Sequence, residues 1–452
     1  MLTLTSLGGA GTVTGSKHLL TDGKKRILID CGLFQGLKNL RELNWQPLPI
    51  EPSTIDAVVL THAHLDHSGY LPRLVRDGFR GAILATAATI DVADLILKDS
   101  GHLQEKDAEH ANREGFSRHK PALPLYTVED AERALARFTP VPFGQPAPLP
   151  GGATLTFRYA GHILGAATAE IAWDGRRIVF SGDLGRYGDP VFFDPQPVAE
   201  ADCIAIESTY GDRVHAPDDP AEALGALIGE TVGRGGTVII PAFAVGRAQL
   251  VLYHLWRLRE AGRLASVPIY LDSPMAINAA RLLDTHRNDH RLTPAVCRAA
   301  CGIATYTREA EESKRITASG APKVIISASG MATGGRVLHH LAAFAPGGEN
   351  TILFSGFQPA GTRGRKLLQG AREVKIHGQW VPVRARIANL ATLSAHADAN
   401  ELMRWLSGFR RAPSRVFIIH GEPDASDALR VRIERDTGWP ATVPRPEQTF
   451  TL

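Results

Sequence analysis

The sequence lacks any apolar run of the ~18 residues that a membrane-spanning helix needs. Its first residues also do not combine a charged segment with an apolar core. We therefore expect neither a membrane span nor a signal peptide. Cysteine is scarce, with four residues among 452. So few cysteines exclude a secreted disulfide scaffold and predict free thiols in a reducing compartment, here the cytoplasm.

The sequence also lacks a large net charge of either sign. The formal net charge is +3, so a nucleic-acid partner is neither demanded nor excluded, and any basic surface must be local. A hydrophobic content of 44% with 21% charged residues is typical of a globular protein. At 452 residues the chain exceeds the usual size of a single core, which predicts two domains or one domain with a large insertion.

The most informative stretch is 61–69, with the sequence Thr-His-Ala-His-Leu-Asp-His-Ser-Gly. It follows the apolar run 57–60, whose β-branched residues predict a buried strand, and a helical pattern begins at Gly69. The stretch is therefore expected to be a strand-to-helix loop at the carboxyl end of a strand. Open α/β sheets place their chemistry at such ends.

Four potential metal ligands fall within this loop. His62 and His64, two residues apart, can point into one site, and Asp66 and His67 can face a second point nearby. Imidazole together with carboxylate suits Zn²⁺ and similar ions. The alternative is a polar loop with surface histidines, but three histidines and an aspartate at one strand end favour a metal site.

Further polar residues recur at the ends of apolar runs. They are His162, Asp183, Glu207, His396 and His420. A lone histidine after a strand is more often structural than a ligand. Several at equivalent strand ends would meet at one sheet edge, which favours a metal centre.

The number of ligands predicts two metal ions. We assign His62, His64 and His162 to the first ion, Asp66, His67 and His420 to the second, and Asp183 as the bridge between them. Metals ~3.5–4 Å apart can share a water and lower its pKa towards neutrality. Asp30 is expected to orient a ligand histidine without binding metal itself. The predicted cofactor is two Zn²⁺ per chain, with Mn²⁺ as an alternative that the same ligands accept.

These motifs carry a resemblance to a known family. His62-x-His64-x-Asp66-His67, then His162 and Asp183, with Asp30 at the first motif, resemble the motif series of the metallo-β-lactamase superfamily. Glu207 in Glu-Ser-Thr-Tyr-Gly, His396 in Ser-Ala-His-Ala-Asp and His420 in His-Gly-Glu resemble three additional motifs of its β-CASP group. The resemblance covers essentially the whole chain.

The resemblance implies an α/β fold. The expected architecture is a metallo-β-lactamase αββα sandwich, interrupted by an inserted α/β β-CASP domain with a mostly parallel sheet. We expect residues 1–209 to form the first part of the sandwich, 210–374 the inserted domain and 375–452 the C-terminal part of the sandwich.

The resemblance also implies a function. A histidine at the last motif, here His420, resembles the RNA-processing branch, whereas the DNA-processing branch typically has an apolar residue there. The chain is similar to short bacterial ribonucleases of this group and to the endonuclease subunit of the cleavage and polyadenylation specificity factor. We expect a zinc-dependent ribonuclease in RNA processing or decay. It would cut single-stranded RNA internally, with 5′-exonuclease activity as an addition, and a homodimer is compatible with this function.

The expected mechanism is attack on phosphorus by a hydroxide that bridges the two ions. His396 is assigned as the general acid on the leaving 3′ oxygen, and Glu207 holds it in orientation and raises its pKa. Asp66 and Asp183 complete the catalytic set.

Three loops supply candidates for contact with substrate phosphates. The strand-to-helix loops 241–247 and 329–336 could present backbone amides, and the basic loop 361–366 suits a nucleic-acid backbone. The candidates are Ser208, which follows Glu207 outside these loops, and, within the loops, Arg247, Gly330, Thr333, Gly334, Arg336 and Arg363. Tight turns and a solvated basic loop are the alternatives. No Gly-Lys-Ser/Thr follows the glycines, so nucleotide hydrolysis is not indicated.

Three other functions compete with the ribonuclease. A small-molecule hydrolase for esters or thioesters would share the first ligands but would need neither Glu207 nor His396. A DNA nuclease would use the same centre, with His420 as the feature against it. A scaffold protein with an inactive site is disfavoured, because every motif position holds a competent residue.

Overall fold

The computed structural model describes residues 1–115, 117, 119–264 and 266–452. These residues form two compact units. The first consists of Met1–Gly188, Phe193–Val214 and His396–Leu452, and the second of Asp189–Phe192 and His215–Ala395. The chain therefore leaves the first unit and returns to it, as the predicted insertion requires.

The strands, in chain order, are β1 (Thr3–Gly8), β2 (Lys17–Thr21), β3 (Arg26–Ile29), β4 (Ala57–Val59), β5 (Ala82–Ala85), β6 (Phe138–Pro140), β7 (Ala147–Pro148), β8 (Thr154–Tyr159), β9 (Ala167–Trp173), β10 (Arg176–Phe180), β11 (Cys203–Ile206), β12 (Val238–Pro241), β13 (Ile269–Leu271), β14 (Thr305–Tyr306), β15 (Val324–Ser327), β16 (Thr351–Phe354), β17 (Glu373–Ile376), β18 (Gln379–Pro382), β19 (Arg386–Asn389), β20 (Arg415–Ile418), β21 (Ala441–Thr442) and β22 (Thr449–Thr451). The α-helices are α1 (Lys38–Leu43), α2 (Leu65–Ser68), α3 (Leu71–Arg76), α4 (Ala87–Glu114), α5 (Val128–Leu135), α6 (Pro220–Gly233), α7 (Arg247–Glu260), α8 (Pro274–Thr285), α9 (Pro294–Cys301), α10 (Ala310–Ala318), α11 (Val337–Phe344), α12 (Arg363–Leu368), α13 (Ala399–Leu406) and α14 (Pro423–Thr437). Among the described residues, none of these helices has the length and apolarity needed to cross a bilayer.

The first unit is built on two seven-stranded sheets, ordered β22-β1-β2-β3-β4-β5-β6 and β21-β20-β11-β10-β9-β8-β7. Their inner faces share one core, in which Ile27 and Val59 of the first sheet pack with Phe157 and Ile178 of the second. Removing these apolar side chains from water is the main stabilising contribution. Helix α4 contacts β6, and α14 contacts β20 and β21. The predicted sandwich of two sheets between helices is confirmed.

The second unit contains a six-stranded sheet, ordered β14-β13-β15-β12-β16-β19. Every registered pair in it is parallel. β12, β15 and β16 are buried throughout, as central strands covered on both faces must be. β17 and β18 form a separate antiparallel hairpin. The predicted mostly parallel sheet is confirmed.

The units divide the chain at points other than the predicted ones. Residues 375–395, assigned from the sequence to the C-terminal part of the sandwich, lie in the second unit. The reason is pairing and packing: β19 pairs with β16, and Val381 of β18 packs with Val337 of α11. The limits of the three predicted segments stay a prediction.

The helix after β4 begins earlier than the sequence pattern indicates. That pattern placed Asp66 and His67 on a loop, with the helix starting at Gly69. In the structure they lie in α2, because the His64 carbonyl accepts hydrogen bonds from the amides of His67 (2.9 Å) and Ser68 (2.8 Å). Only Leu65 is apolar in this single turn, so periodicity could not reveal it.

Candidate metal centre

The candidate ligands lie at the carboxyl ends of strands in both sheets of the first unit. His62 and His64 follow β4, His162 follows β8, Asp183 follows β10 and His420 follows β20. β10, β11 and β20 are parallel. β8 runs in the same direction, since β8 and β10 are both antiparallel to β9. The structure thus brings the predicted strand ends to one edge of the sandwich.

One group of ligand atoms comes from His62, His64, His162 and Asp183, all within 4.8 Å of one another. Oδ2 of Asp183 lies 3.5 Å from Nε2 of His62 and 3.6 Å from Nε2 of His162. Nε2 of His162 is 3.1 Å from Nδ1 of His64. This is the group that the sequence assigned to the first ion.

A second group comes from Asp66, His67 and His420, again within 4.8 Å. Nε2 of His420 lies 3.6 Å from Oδ2 of Asp66. The other carboxylate oxygen of Asp183, Oδ1, lies 3.2 Å from Nε2 of His67 and 3.4 Å from Nδ1 of His420. The two oxygens of Asp183 therefore face different ligand groups.

The residues present fit divalent metal ions. Among the described residues, Nε2 of His62, His67 and His420 and Oδ1 of Asp183 are buried without a hydrogen-bond partner. A buried polar atom left unsatisfied costs roughly 1–3 kcal/mol, so several around one point indicate a ligand that satisfies them. Nitrogen and carboxylate oxygen are donors that zinc and similar ions accept.

The electrostatics favour the metal-binding protonation states of His62, His64 and Asp183, whereas the carboxylates of Asp183 and Asp30 outweigh burial and hold the pKa of His67 well above its usual value. Burial, with the nearby ring of His67, holds the pKa of His62 well below its usual value. Burial also lowers the pKa of His64 to about 4, although Asp66 opposes the shift. Burial alone would raise the pKa of Asp183, but the surrounding histidines, led by His420, hold it well below its usual value. Neutral imidazole and ionised carboxylate are the forms that bind metal.

Asp30 lies behind the ligands and holds one of them. Its Oδ2 is 2.7 Å from Nδ1 of His67, while Nε2 of that ring faces Asp183. Thr61 donates to Asp30 through its amide (2.8 Å) and its hydroxyl (2.9 Å). Asp30 (φ 58°) and His420 (φ 48°) have left-handed backbones, which non-glycine residues adopt mainly at constrained sites. Sequence reasoning missed Thr61, although it directly precedes the ligand motif.

Glu207 and His396 form a pair beside Asp183. Nδ1 of His396 lies 3.2 Å from Oε1 of Glu207 and 3.9 Å from Oδ2 of Asp183. Glu207 is fully buried and accepts hydrogen bonds from the amides of Leu184 (2.7 Å) and Thr209 (3.2 Å). Burial would lower the pKa of His396, but the Glu207 carboxylate outweighs burial and raises it. This geometry suits a protonated imidazole held in one orientation.

Ser208, a candidate for phosphate contact, is completely buried. Its hydroxyl donates to the Ile419 carbonyl at 2.9 Å and lies 2.9 Å from the Ser426 hydroxyl. Its amide donates to the His420 carbonyl at 3.2 Å. These contacts hold the strand end that carries a ligand, so the structure gives Ser208 a positioning role, and phosphate contact stays a prediction.

The second unit contains the other phosphate candidates. Gly330, Thr333, Gly334 and Arg336 share the loop between β15 and α11. The amides of Thr333 and Gly334 donate to Oγ of Ser329, at 3.0 and 3.4 Å. These amides, proposed to receive phosphate, thus stabilise their own loop here.

The guanidinium groups in this unit are engaged internally. Arg336 donates to the buried carboxylate of Asp272 at 2.7 Å and to the Arg308 carbonyl at 2.5 Å. Arg363 donates to the carbonyls of Lys375 and Ala332. Arg247 is buried at the first residue of α7. Their assignment to phosphate contact stays a prediction.

Lys17 is a buried lysine behind the ligand loop that sequence reasoning missed. Its Nζ donates to the Gly32 carbonyl and lies 4.6 and 4.9 Å from the ring centroids of Phe34 and Tyr70. The chain around Gly32 holds α2 in place, because the amide next to it, that of Cys31, donates to the His67 carbonyl at 2.7 Å. A lysine in a strand gives no sequence signal of such burial, since strand lysines are normally exposed.

Burial lowers the pKa of Lys17 from 10.5 to about 8. Between those values the unfolded chain binds more protons at this residue, so its contribution to the free energy of unfolding rises with pH. We expect the free energy of unfolding of wild type to rise relative to that of Lys17→Met by about 3 kcal/mol from pH 7.5 to pH 10.5. Urea unfolding of both proteins across this range measures it. A difference independent of pH would show that Lys17 is already neutral or is hydrated.

Three family descriptions match the chain. The metallo-beta-lactamase superfamily matches residues 12–239, the Beta-Casp domain matches residues 248–367, and the Zn-dependent metallo-hydrolase RNA specificity domain matches residues 380–444. Together they cover all the residues that form the two ligand groups and the Glu207–His396 pair.

Similar proteins extend over nearly the full length. The chain is 37% identical over 430 residues to ribonuclease TTHA0252 of Thermus thermophilus, covering 93% of this chain and 94% of that protein. It is 31% identical to transcription termination factor FttA of Methanosarcina mazei, covering 93% and 67% of the two chains. A protein of unknown function from Enterococcus faecalis V583 is similar in fold, with a TM-score of 0.55, 14% identity and 100% coverage of both chains.

Proposed function

Because this chain belongs to the metallo-β-lactamase superfamily and carries its β-CASP domain, we propose that it is a metal-dependent ribonuclease that hydrolyses single-stranded RNA. The observation that carries the proposal is the position of Asp183. Its two carboxylate oxygens face two groups of histidines, and Nδ1 of His396 lies 3.9 Å from its Oδ2. The relative that is 37% identical to this chain is named a ribonuclease, and His420 lies within the second ligand group. Both support RNA as the substrate.

We assign two Zn²⁺, with Mn²⁺ as the alternative, to the two ligand groups. The first ion would be held by His62, His64 and His162, the second by Asp66, His67 and His420, and both by Asp183. When bound, such a pair polarises a water for attack and neutralises charge on the scissile phosphate.

The protein's own residues orient the reacting groups and move one proton. Asp30 fixes the ring of His67 through Nδ1, which sets the direction of the nitrogen that faces the centre. Glu207 accepts from Nδ1 of His396, so the proton assigned to catalysis is on Nε2. The raised pKa of His396, which Glu207 maintains against burial, keeps that proton available near neutral pH.

The proposed reaction is the hydrolysis of a phosphodiester bond. The oxygen of a water forms a bond to phosphorus, the bond from phosphorus to the 3′ oxygen breaks, and His396 donates a proton to that oxygen. The proton lost by the water returns to His396 through solvent. The products are a 5′ phosphate and a 3′ hydroxyl. The four cysteines are free, which supports a cytoplasmic enzyme.

We expect the purified protein to cleave single-stranded RNA in preference to DNA of the same sequence, and to lose cleavage on chelation. The measurement uses 5′-labelled and 3′-labelled oligonucleotides with and without a zinc chelator, followed by addition of zinc or manganese. The label pattern separates internal cuts from trimming at the 5′ end. Cleavage of DNA alone would contradict the assignment from His420. Turnover restricted to small esters would replace the ribonuclease with a small-molecule hydrolase.

A further inference from the structure

The second unit contains a strongly basic segment in a chain of low net charge. Residues 361–386 include seven Lys and Arg residues and one carboxylate, Glu373, a local charge of +6, whereas the whole chain carries +3. The segment opens with α12, whose first residues belong to the basic stretch 361–366 that the sequence placed in a loop, and the hairpin of β17 and β18 forms its centre. Arg386, the last residue of the segment, forms an ion pair with Glu230. The excess positive charge therefore comes mainly from the residues that precede Arg386.

The hairpin presents two different faces. Val374, Ile376 and Val381 face the core of this unit and are buried. On the opposite face Trp380 stands directly across from Lys375 in the strand register. Both are exposed, and 62% of Trp380 is accessible to solvent. An exposed ring and a cation therefore lie side by side on one face of the hairpin, an arrangement that can stack on a base and contact a phosphate.

The hairpin turn carries a third feature on this segment. The turn residues His377 (φ 47°) and Gly378 (φ 81°) both have left-handed backbones, the conformation of a tight two-residue hairpin turn. Asn, Asp or Gly is normally preferred at the position of His377. The His377 ring instead stacks on the exposed His339 of α11, with ring centroids 4.7 Å apart. Two stacked imidazoles therefore lie at the turn end of the hairpin.

Arg363 joins the hairpin to a neighbouring loop through hydrogen bonds. Its Nε and Nη2 donate to the Lys375 carbonyl at 3.0 and 2.8 Å, and its Nη1 donates to the Ala332 carbonyl. The strand that carries Lys375 is thereby attached to the loop that precedes α11. A preorganised surface loses less entropy when it binds a flexible partner.

We propose that the outer hairpin face formed by Lys375 and Trp380, with the His377–His339 stack at its turn end, is a platform that binds single-stranded RNA outside the metal centre. Trp380 would stack on a base, and Lys375 would contact a phosphate. Exposed aromatics beside cations bind single strands with little sequence preference, since every base has a π-face. The positive local charge complements the phosphates. This inference rests on the proposed ribonuclease function.

The test measures binding of a 3′-fluorescein-labelled single-stranded RNA by anisotropy, in full-length His396→Ala protein that holds its metals. We expect Trp380→Ala to weaken binding roughly five- to twentyfold, and Trp380→Phe to retain most of the affinity. A plot of the logarithm of the association constant against the logarithm of the salt concentration has a negative slope. Lys375→Gln should make this slope less steep by about 0.7, the value for one phosphate contact to a single strand. Trp45→Ala is the matched control, because Trp45 is 55% exposed in the first unit.

Activity and size measurements separate the outcomes. With His396 intact, Trp380→Ala should raise KM for RNA but leave hydrolysis of bis(p-nitrophenyl) phosphate unchanged. If Trp380→Ala and Trp45→Ala bind RNA with equal affinity while wild type cleaves RNA, the platform is overturned and the proposed ribonuclease function stands. If wild type neither binds nor cleaves RNA, the proposed function fails. If Trp380→Ala converts a dimer to a monomer in light scattering, the face is an interface between copies and the RNA platform is overturned.

Discussion

The His396→Ala protein should keep its metal content and lose turnover of RNA by about 10²–10⁴-fold, the range of general acid catalysis. His396 lies 3.9 Å from Oδ2 of Asp183, but its Nδ1 is directed at Glu207. His396 is not a member of either of the two ligand groups, so we expect its removal to take away a proton donor and to leave the ligand atoms of those groups in place. Metal analysis by mass spectrometry and steady-state kinetics measure the two quantities on one preparation.

The dependence on leaving group identifies the role of His396. Bis(p-nitrophenyl) phosphate releases a weakly basic phenolate that needs no proton, so its hydrolysis should fall far less than that of RNA in His396→Ala. Glu207→Gln should give an intermediate loss for RNA, because the amide retains an acceptor near Nδ1 but removes the charge that raises the pKa of His396. His110→Ala, which changes an exposed histidine of α4, is the control. An equal loss for both substrates, or loss of metal, would rule out the general acid.

The clustering of the candidate ligands could be predicted from the sequence because their positions follow from strand ends. His62 and Asp183 each come directly after an apolar run, and parallel strands align such ends at one edge. The two ligand groups appear in the structure as the sequence assigned them. Short-range pattern and topology together are sufficient to predict that these residues lie close together, and their role as metal ligands stays a prediction.

The surroundings of the ligands depend on contacts that no local pattern records. α2 is one turn long and holds a single apolar residue, so its helix escapes periodicity. Lys17 is polar in sequence yet buried between two rings, because a carbonyl and two aromatic faces from distant segments surround it. Such a position is determined by tertiary packing alone.

The basic residues show the same limit. The sequence marks Arg336 and Arg363 as cations in glycine-rich loops, where phosphate contact is a reasonable prediction. In the structure Arg336 is bound to Asp272, which lies 64 residues away in the chain, and Arg363 is bound to backbone carbonyls. Charge can be counted from a sequence, but the partner of a charge cannot.

Asp183→Asn should reduce metal affinity at both ligand groups, by more than about 100-fold. Replacing an outer residue that only supports a ligand typically weakens metal binding 10–100-fold, so loss of a shared ligand should exceed that range. Asparagine keeps the size of the side chain but removes the charge and one of the two oxygens that face His62 and His67. Equilibrium dialysis against buffered zinc, with metal analysis, measures affinity and stoichiometry.

Single-group variants make the bridging role of Asp183 testable. His62→Ala should lose one of two zinc equivalents and His420→Ala the other, because each contributes to one ligand group, whereas Asp183→Asn should lose both. Asp130→Asn is a suitable control, since Asp130 is another buried aspartate of the first unit, and it caps α5. If Asp183→Asn retained one tightly bound equivalent, the carboxylate would belong to a single ion. The 3.2 and 3.4 Å separations of Oδ1 from His67 and His420 would then reflect packing without shared coordination.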